Sequence, residues 1–200
     1  MTDARGEAAR KLIHAGVSLV AAAVVWWAPH PIGAVILAGA TAVALAVELA
    51  RRSSPGFGRW FGRRLGRMLR PGEAVRLTGA TTLSVAYTLA AVLLPGRAAV
   101  AGILFTGLAD AAAAVVGKRW GRHRYRGGKS IEGSAAFLAA VFAISVTLPG
   151  VGAGAAMATA VALTLIEAPT LRVDDNLYLP LAGAAVLRAV AGSGGVGIFS

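Results

Sequence analysis

Apolar runs of about 17–20 residues, separated by short turns and a few dense basic segments, dominate this 200-residue chain. A run of that length is what an α-helix needs to cross roughly 30 Å of hydrocarbon, where each backbone polar group must be satisfied within the helix. Seven such runs can be read, at about 12–28, 32–50, 77–94, 98–117, 133–149, 151–168 and 176–192. They imply an all-α, polytopic integral membrane protein with about seven transmembrane helices. Composition agrees, since 56% of the side chains are hydrophobic and the mean hydropathy is +0.68, against roughly 45–50% apolar usage in soluble domains. Little sequence is left between the runs, so residues 1–200 read as one membrane-embedded domain. The first run follows Arg5, Arg10 and Lys11 as a signal peptide would. Its length, and the further runs after it, make it a span instead. There is no cysteine, which excludes disulfides and thiolate metal sites.

The turns at 28–31, 95–97 and 149–150 alternate with longer charged connections, so the long connections fall on one side. Of the 20 Lys and Arg residues, all but Arg97 and Arg188 lie in the N-terminus, 51–76, 118–129 or 169–175. By the positive-inside rule that side is cytoplasmic. The acidic residues share the asymmetry: Glu48, Glu132, Glu167, Asp174 and Asp175 lie at or near span ends on the same side, with Asp110 about two turns inside the fourth span. Chemistry is therefore expected at the cytoplasmic face of the membrane. Within 51–70, Arg59, Arg63, Arg67 and Arg70 alternate at helical spacing with Phe57, Phe61, Leu65 and Met68, which describes an amphipathic helix lying in the headgroup layer. The charge of +11 follows from this topology and does not indicate a nucleic-acid partner.

A carboxylate inside a span costs about 2.5–3.5 kcal/mol on insertion scales, so Asp110 is read as paired or functional. It leads into KRWGRHRYRGGKSIEGS, residues 118–134. In that loop, over 118–130, Lys118 and Lys129 can neutralise phosphate oxygens, and Gly127 and Gly128 allow close backbone approach. Ser130 can cap a helix whose free N–H groups face an anion. Asp110 and Gly117 lie two turns apart on one helix face. The GKS triplet at 128–130 is not a P-loop, because that motif needs a glycine where His123 stands and a preceding strand. Further on, Glu167 ends a span, and Asp174, Asp175 and Asn176 precede the last one. Oxygen ligands at this spacing suit Mg²⁺, while capping of a helix is the simpler reading for one of the two aspartates. Arg10 and His14 stand one turn apart at the edge of the first span, as anchors or as site residues.

The patterns RKxxH (10–14), DxxAxxxG (110–117), KSxEGS (129–134) and Glu167 followed by DDNLxxP (174–180) together resemble the CTP-dependent lipid-alcohol kinases, the family of phytol, dolichol and yeast-type diacylglycerol kinases. The resemblance implies that Arg10, Lys11, Asp110, Gly117, Lys129, Ser130, Glu132 and Gly133 belong to a nucleotide site, with Lys118, Ser134 and Asn176 beside it. It implies CTP as phosphoryl donor and a lipid alcohol drawn from the membrane lipids as acceptor. Asp110 would hold Mg²⁺ with Asp174 or Asp175 in support, and Glu132, Glu167 or His14 would take the hydroxyl proton. Ala109 departs from the glycine common in such proteins. Phosphatidate cytidylyltransferases share the Asp-to-GluGly half, yet their later signature is absent and the DDNL element favours the kinases. A transporter is the other alternative, although its ionisable residues belong near the midplane between repeats. The acceptor alcohol and a homo-oligomeric state are left open.

Overall fold

The computed structural model describes residues 4–29, 31–69, 72–73, 76–94, 96–168 and 174–192. His30, Arg70, Pro95, Pro169 and Arg172, which the sequence reading placed in turns and basic loops, lie outside the described residues. The helices are α1 (Ala4–Trp27), α2 (Ile32–Ser53), α3 (Pro55–Leu65), α4 (Gly79–Leu93), α5 (Gly96–Leu104), α6 (Asp110–Trp120), α7 (Ile131–Thr147), α8 (Ala153–Glu167) and α9 (Asp175–Gly192). No strand is formed among the described residues, so the all-α expectation holds.

Three segments are long and apolar enough to cross a membrane: Ala9–Trp27, Ile32–Ser53 and Gly96–Trp120. The last of these is α5 and α6 run together. The helices α4, α7 and α8 are apolar but hold 15, 17 and 15 residues, or about 22–26 Å at 1.5 Å per residue. That is short of the hydrocarbon thickness. Helix α9 has 18 residues but carries Asp175, Asn176 and Arg188. Among the described residues three segments thus meet the length expected of a full span, and four shorter or more polar helices stand where the other four of the seven expected spans were read. The apolar runs read longer than the helices because Leu77, Leu94, Leu148, Pro149 and Val151 extend them without being helical.

Helix α5 joins the two halves of the core. Toward α1, α2 and α4 it contributes Val100 and Ile103 to a cluster with Ala21, Leu37, Leu83 and Tyr87. Its Ala101, with Phe105 just beyond it, enters a second cluster with Phe137, Val141, Leu163, Leu179 and Leu187 from α7, α8 and α9. Small alanines at most of these crossings let helices approach closely where lipid supplies no hydrophobic drive. The outer faces of α1 and α2 are bare: Leu12 is 74% exposed, Trp27 78% and Leu49 68%. Such a surface is suited to lipid rather than water.

Between α5 and α6 the rod contains a π turn, Phe105–Ala109, in which the Asp110 N–H donates to the Phe105 carbonyl five residues back. Helix α1 seats directly on it. A Cβ on Gly107 would stand 2.1 Å from Ser18, so only glycine admits this approach. Ser18 in turn donates to the His14 carbonyl at 2.6 Å and shares a 2.5 Å hydrogen bond with the buried Tyr87 hydroxyl. This fixes α1, with its Arg10, Lys11 and His14, against the turn that presents Asp110.

Candidate functional site

Helices α6 and α7 cross where Gly117 faces Gly133; a Cβ on Gly133 would lie 3.0 Å from the Ala113 carbonyl oxygen and 3.3 Å from the Gly117 Cα. The loop between them is folded on itself. The Tyr125 N–H donates to the Lys129 carbonyl at 2.9 Å and the Ile131 N–H to that of His123 at 3.0 Å. Gly127 and Gly128 turn it with φ of 79° and 78°, a region open to glycine at little cost. Ser130 caps α7 as expected, accepting from the Gly133 N–H at 3.1 Å. The Tyr125 hydroxyl reaches Ser134 at 2.5 Å, and Arg124 donates to the Gly128 carbonyl at 3.0 Å. Arg124 is thus part of the loop's frame.

At this crossing lies a cavity of about 160 Å³, with Asp110, Lys118, Lys129 and Glu167 on its wall. Gly117, Ser130, Gly133 and Ser134 complete the α6–α7 side. Two ion pairs hold the charges. Lys11 of α1 donates to the Asp110 carboxylate. Lys129 donates to the Glu167 carboxylate at 2.5 Å and to the Glu167 backbone carbonyl. Glu167 is 6% exposed, and its second oxygen, Oε2, is buried with no hydrogen-bond partner. A buried carboxylate oxygen left unpartnered is costly.

Several expected members stand elsewhere. Glu132, in the first turn of α7, receives the His123 backbone N–H at 3.3 Å and pairs with His123 Nδ1 at 2.7 Å, away from the cavity wall. Its own N–H, free at the helix start, and then His123 hold its carboxyl down at about 2. Asp174 caps α9, accepting from the Asn176 N–H at 3.0 Å and from the Thr82 hydroxyl at 3.1 Å. Asn176 is buried and donates from Nδ2 to the Gly79 carbonyl at 3.2 Å. Arg10 and His14 line a second, separate cavity. Glu48 is held by Arg51 and Arg52 at 2.5 and 2.7 Å, and Arg51 also donates to the Glu73 carbonyl at 2.8 Å. Glu48 thus anchors the segment that follows α3.

Sequence reasoning missed the π turn and Tyr178. The Tyr178 ring packs against the second core cluster and its hydroxyl is buried without a hydrogen-bond partner, one turn along α9 from Asp175. Its position three residues after Asp175, on one helix face, was the available signal. Among the described residues no three carboxylates or imidazoles converge as a preformed metal site. Asp110 and Glu167 do place two carboxylates on one cavity, one with an unpartnered oxygen. That fits Mg²⁺, which takes one or two carboxylates and completes its shell with water and phosphate oxygens. No family model, curated protein or solved structure matches this chain.

Proposed function

We propose that this chain is an integral membrane kinase that transfers the γ-phosphoryl group of CTP to the hydroxyl of a lipid alcohol at the cytoplasmic face. The observation that carries the reading is the α6–α7 cavity, where Asp110, Lys118, Lys129 and Glu167 meet and one Glu167 oxygen has no partner. Lys118, Lys129 and Lys11 neutralise phosphate oxygens, and the α7 N-terminus adds its dipole to the same face. Asp110 would hold Mg²⁺, which offsets the charge shared between the β- and γ-phosphates. Transfer of this kind depends on positioning and charge neutralisation more than on covalent help. The alcohol oxygen bonds to the γ-phosphorus, the bridging β–γ bond breaks onto departing CDP, and the hydroxyl proton passes to Glu167 Oε2. Glu132, engaged with His123, has no part in this step.

A cytidylyltransferase would use the same groups to break the α–β bond. The test supplies the full chain in lipid with Mg²⁺ and CTP labelled at the α or the γ position, against a panel of polyprenols, phytol-like alcohols, diacylglycerol and lipid phosphates. Label from the γ position in lipid, lost by on the order of 10²–10³-fold in Asp110→Asn, is expected. Label from the α position alone overturns the kinase reading. No transfer from either overturns phosphotransfer altogether and leaves transport as the reading to pursue.

A further inference from the structure

Helix α3 ties the end of α2 to the start of α1. It begins at Pro55, just beyond the apolar segment Ile32–Ser53, with Ser54 accepting the Phe57 N–H at 3.4 Å. A Cβ on Gly58 would stand 2.7 Å from the Arg51 carbonyl oxygen, and the Arg51 guanidinium lies 5.9 Å from the centre of the Phe61 ring. The first turns of α3 are thus pressed against the end of α2. The tighter turn that continues it, Gly66–Met68, packs on α1, and Phe61, Leu65 and Met68 share a cavity with Ile13 and His14 of that helix. Since α1 and α2 are joined by a short connection at their other ends, α3 lies across two neighbouring ends of membrane-crossing segments. That is the level of the lipid headgroups.

With Phe61 and Leu65 turned inward, another face of α3 is left bare. Trp60, Arg63, Arg64 and Arg67 follow the i, i+3, i+4, i+7 spacing of one helix face, and all four are exposed. Stacking on Phe57, 5.4 Å between ring centres, steadies Trp60. Among the described residues, Arg63, Arg64 and Arg67 have no hydrogen-bond or ion-pair partner. Arg51 and Arg52, by contrast, are held by Glu48. No carboxylate lies between Glu48 and Glu73, a stretch with seven arginines, so the charge of this face is not neutralised by its own segment. We infer that the Trp60–Arg67 face binds the headgroups of anionic phospholipids, independently of the reaction proposed above. The indole suits the boundary between hydrocarbon and headgroup. Arg63 and Arg64 stand on either side of it, where their planar guanidiniums can pair with phosphate oxygens. A zwitterionic headgroup brings its own cation and leaves the arginines uncompensated, whereas an anionic one neutralises them. Orienting the chain across the membrane requires only positive charge on this side. It does not require three unpaired arginines on one face with an exposed tryptophan.

The test uses the full chain in phosphatidylcholine nanodiscs, with the exposed Trp26, Trp27 and Trp120 replaced by phenylalanine so that Trp60 alone fluoresces. A minor fraction of the lipid is then exchanged for phosphatidylglycerol or phosphatidylcholine brominated on the acyl chain near the glycerol. Brominated phosphatidylglycerol should quench Trp60 more, with a relative binding constant of about fivefold or greater. Arg63→Gln, Arg64→Gln and Arg67→Gln should each lower that preference by about two- to fivefold, and the triple variant should abolish it. High salt should shrink it, because the Debye length falls to about 3 Å at 1 M. Arg119→Gln with Arg122→Gln, exposed arginines of another loop, should leave it unchanged. If the tryptophan replacements do not fold, phosphatidylglycerol retained by the wild-type chain and by the triple arginine variant, counted by native mass spectrometry in neutral detergent, gives the same comparison. Equal quenching by the two lipids overturns the proposal, as does a preference that survives the triple variant. So does an equal loss in the Arg119 and Arg122 variant, which would assign the effect to net charge. Displacement of the brominated lipid by inorganic phosphate or CTP would show that the face takes soluble phosphates, and would overturn the lipid as its partner.

Discussion

Replacing Gly107 by alanine tests how α1 is seated on the site. The added Cβ would stand 2.1 Å from both Cβ and Oγ of Ser18, whereas unbonded carbons rest at about 3.5–4.0 Å. Both contacts lie at the root of a side chain, so α1 and the π turn must separate by about 1.5 Å. Overfilling a packed interior costs roughly 1–3 kcal/mol, and alanine returns about 0.5–1 kcal/mol through its better helix propensity. A net loss of up to about 2.5 kcal/mol follows from those two terms, and the 2.1 Å approach places it in the upper half of that range. Activity should suffer more. Helix α1 carries Lys11 to Asp110 two turns away, and a misplacement of about 1 Å at a reacting centre can cost on the order of 10²-fold. Gly16→Ala is the matched control, because nothing lies within 4 Å of its Cβ; it should gain about 0.5–1 kcal/mol and keep its activity. Thermal unfolding of the purified protein and kcat with γ-labelled CTP measure both effects. Adding Ser18→Gly to Gly107→Ala removes the clash, and the pair should be non-additive by about 0.5–3 kcal/mol. If Gly107→Ala proves as stable and active as Gly16→Ala, the close seating of α1 on the π turn is refuted.

Two further outcomes concern charge. Lys129→Met leaves the buried Glu167 carboxylate without its cation and should cost about 3–5 kcal/mol, read from the denaturation midpoint. Adding Glu167→Gln should recover most of that stability and none of the transfer activity. Glu132 has its carboxyl lowered from 4.5 to about 2 by its own helix-start N–H and by His123. Its contribution is therefore complete above pH 4.5 and is lost as pH falls toward about 2. Hydrogen exchange across 122–131 should speed up in that window, and Glu132→Gln should abolish this dependence; an unchanged profile would remove Glu132 from the loop's framework.

The parts of the site that could be read in the sequence are those written in local chemistry. Asp110 is an isolated charge in an apolar run, Gly127 and Gly128 mark a backbone that must turn, and Ser130 begins a helix. Each needs only its neighbours to be recognised. The partners could not be read, because they come from afar: Lys11 lies 99 residues before Asp110 and Glu167 lies 38 after Lys129. Glu132 looked like a site residue because its motif places it beside Ser130, yet the loop folds back and gives its carboxylate to His123. Span lengths were overread for a related reason. Hydropathy registers the side chains of Leu94, Leu148 and Val151 and is blind to the backbone, which has already left the helix there.

The π turn before Asp110 also decides what an insertion or deletion would do. It accommodates one residue more than an α-helical turn would, so everything from Asp110 to Trp120 is offset by about 100° from the bearing that an unbroken helix would give it. Removing a single residue between Phe105 and Ala109 would therefore close the turn into regular α-helix and leave the carboxylate on nearly its present bearing toward Lys11. A residue removed or added elsewhere in α5, where no wide turn absorbs it, would instead swing the carboxylate by about 100°. The whole cavity wall carried on α6, Lys118 included, would turn with it.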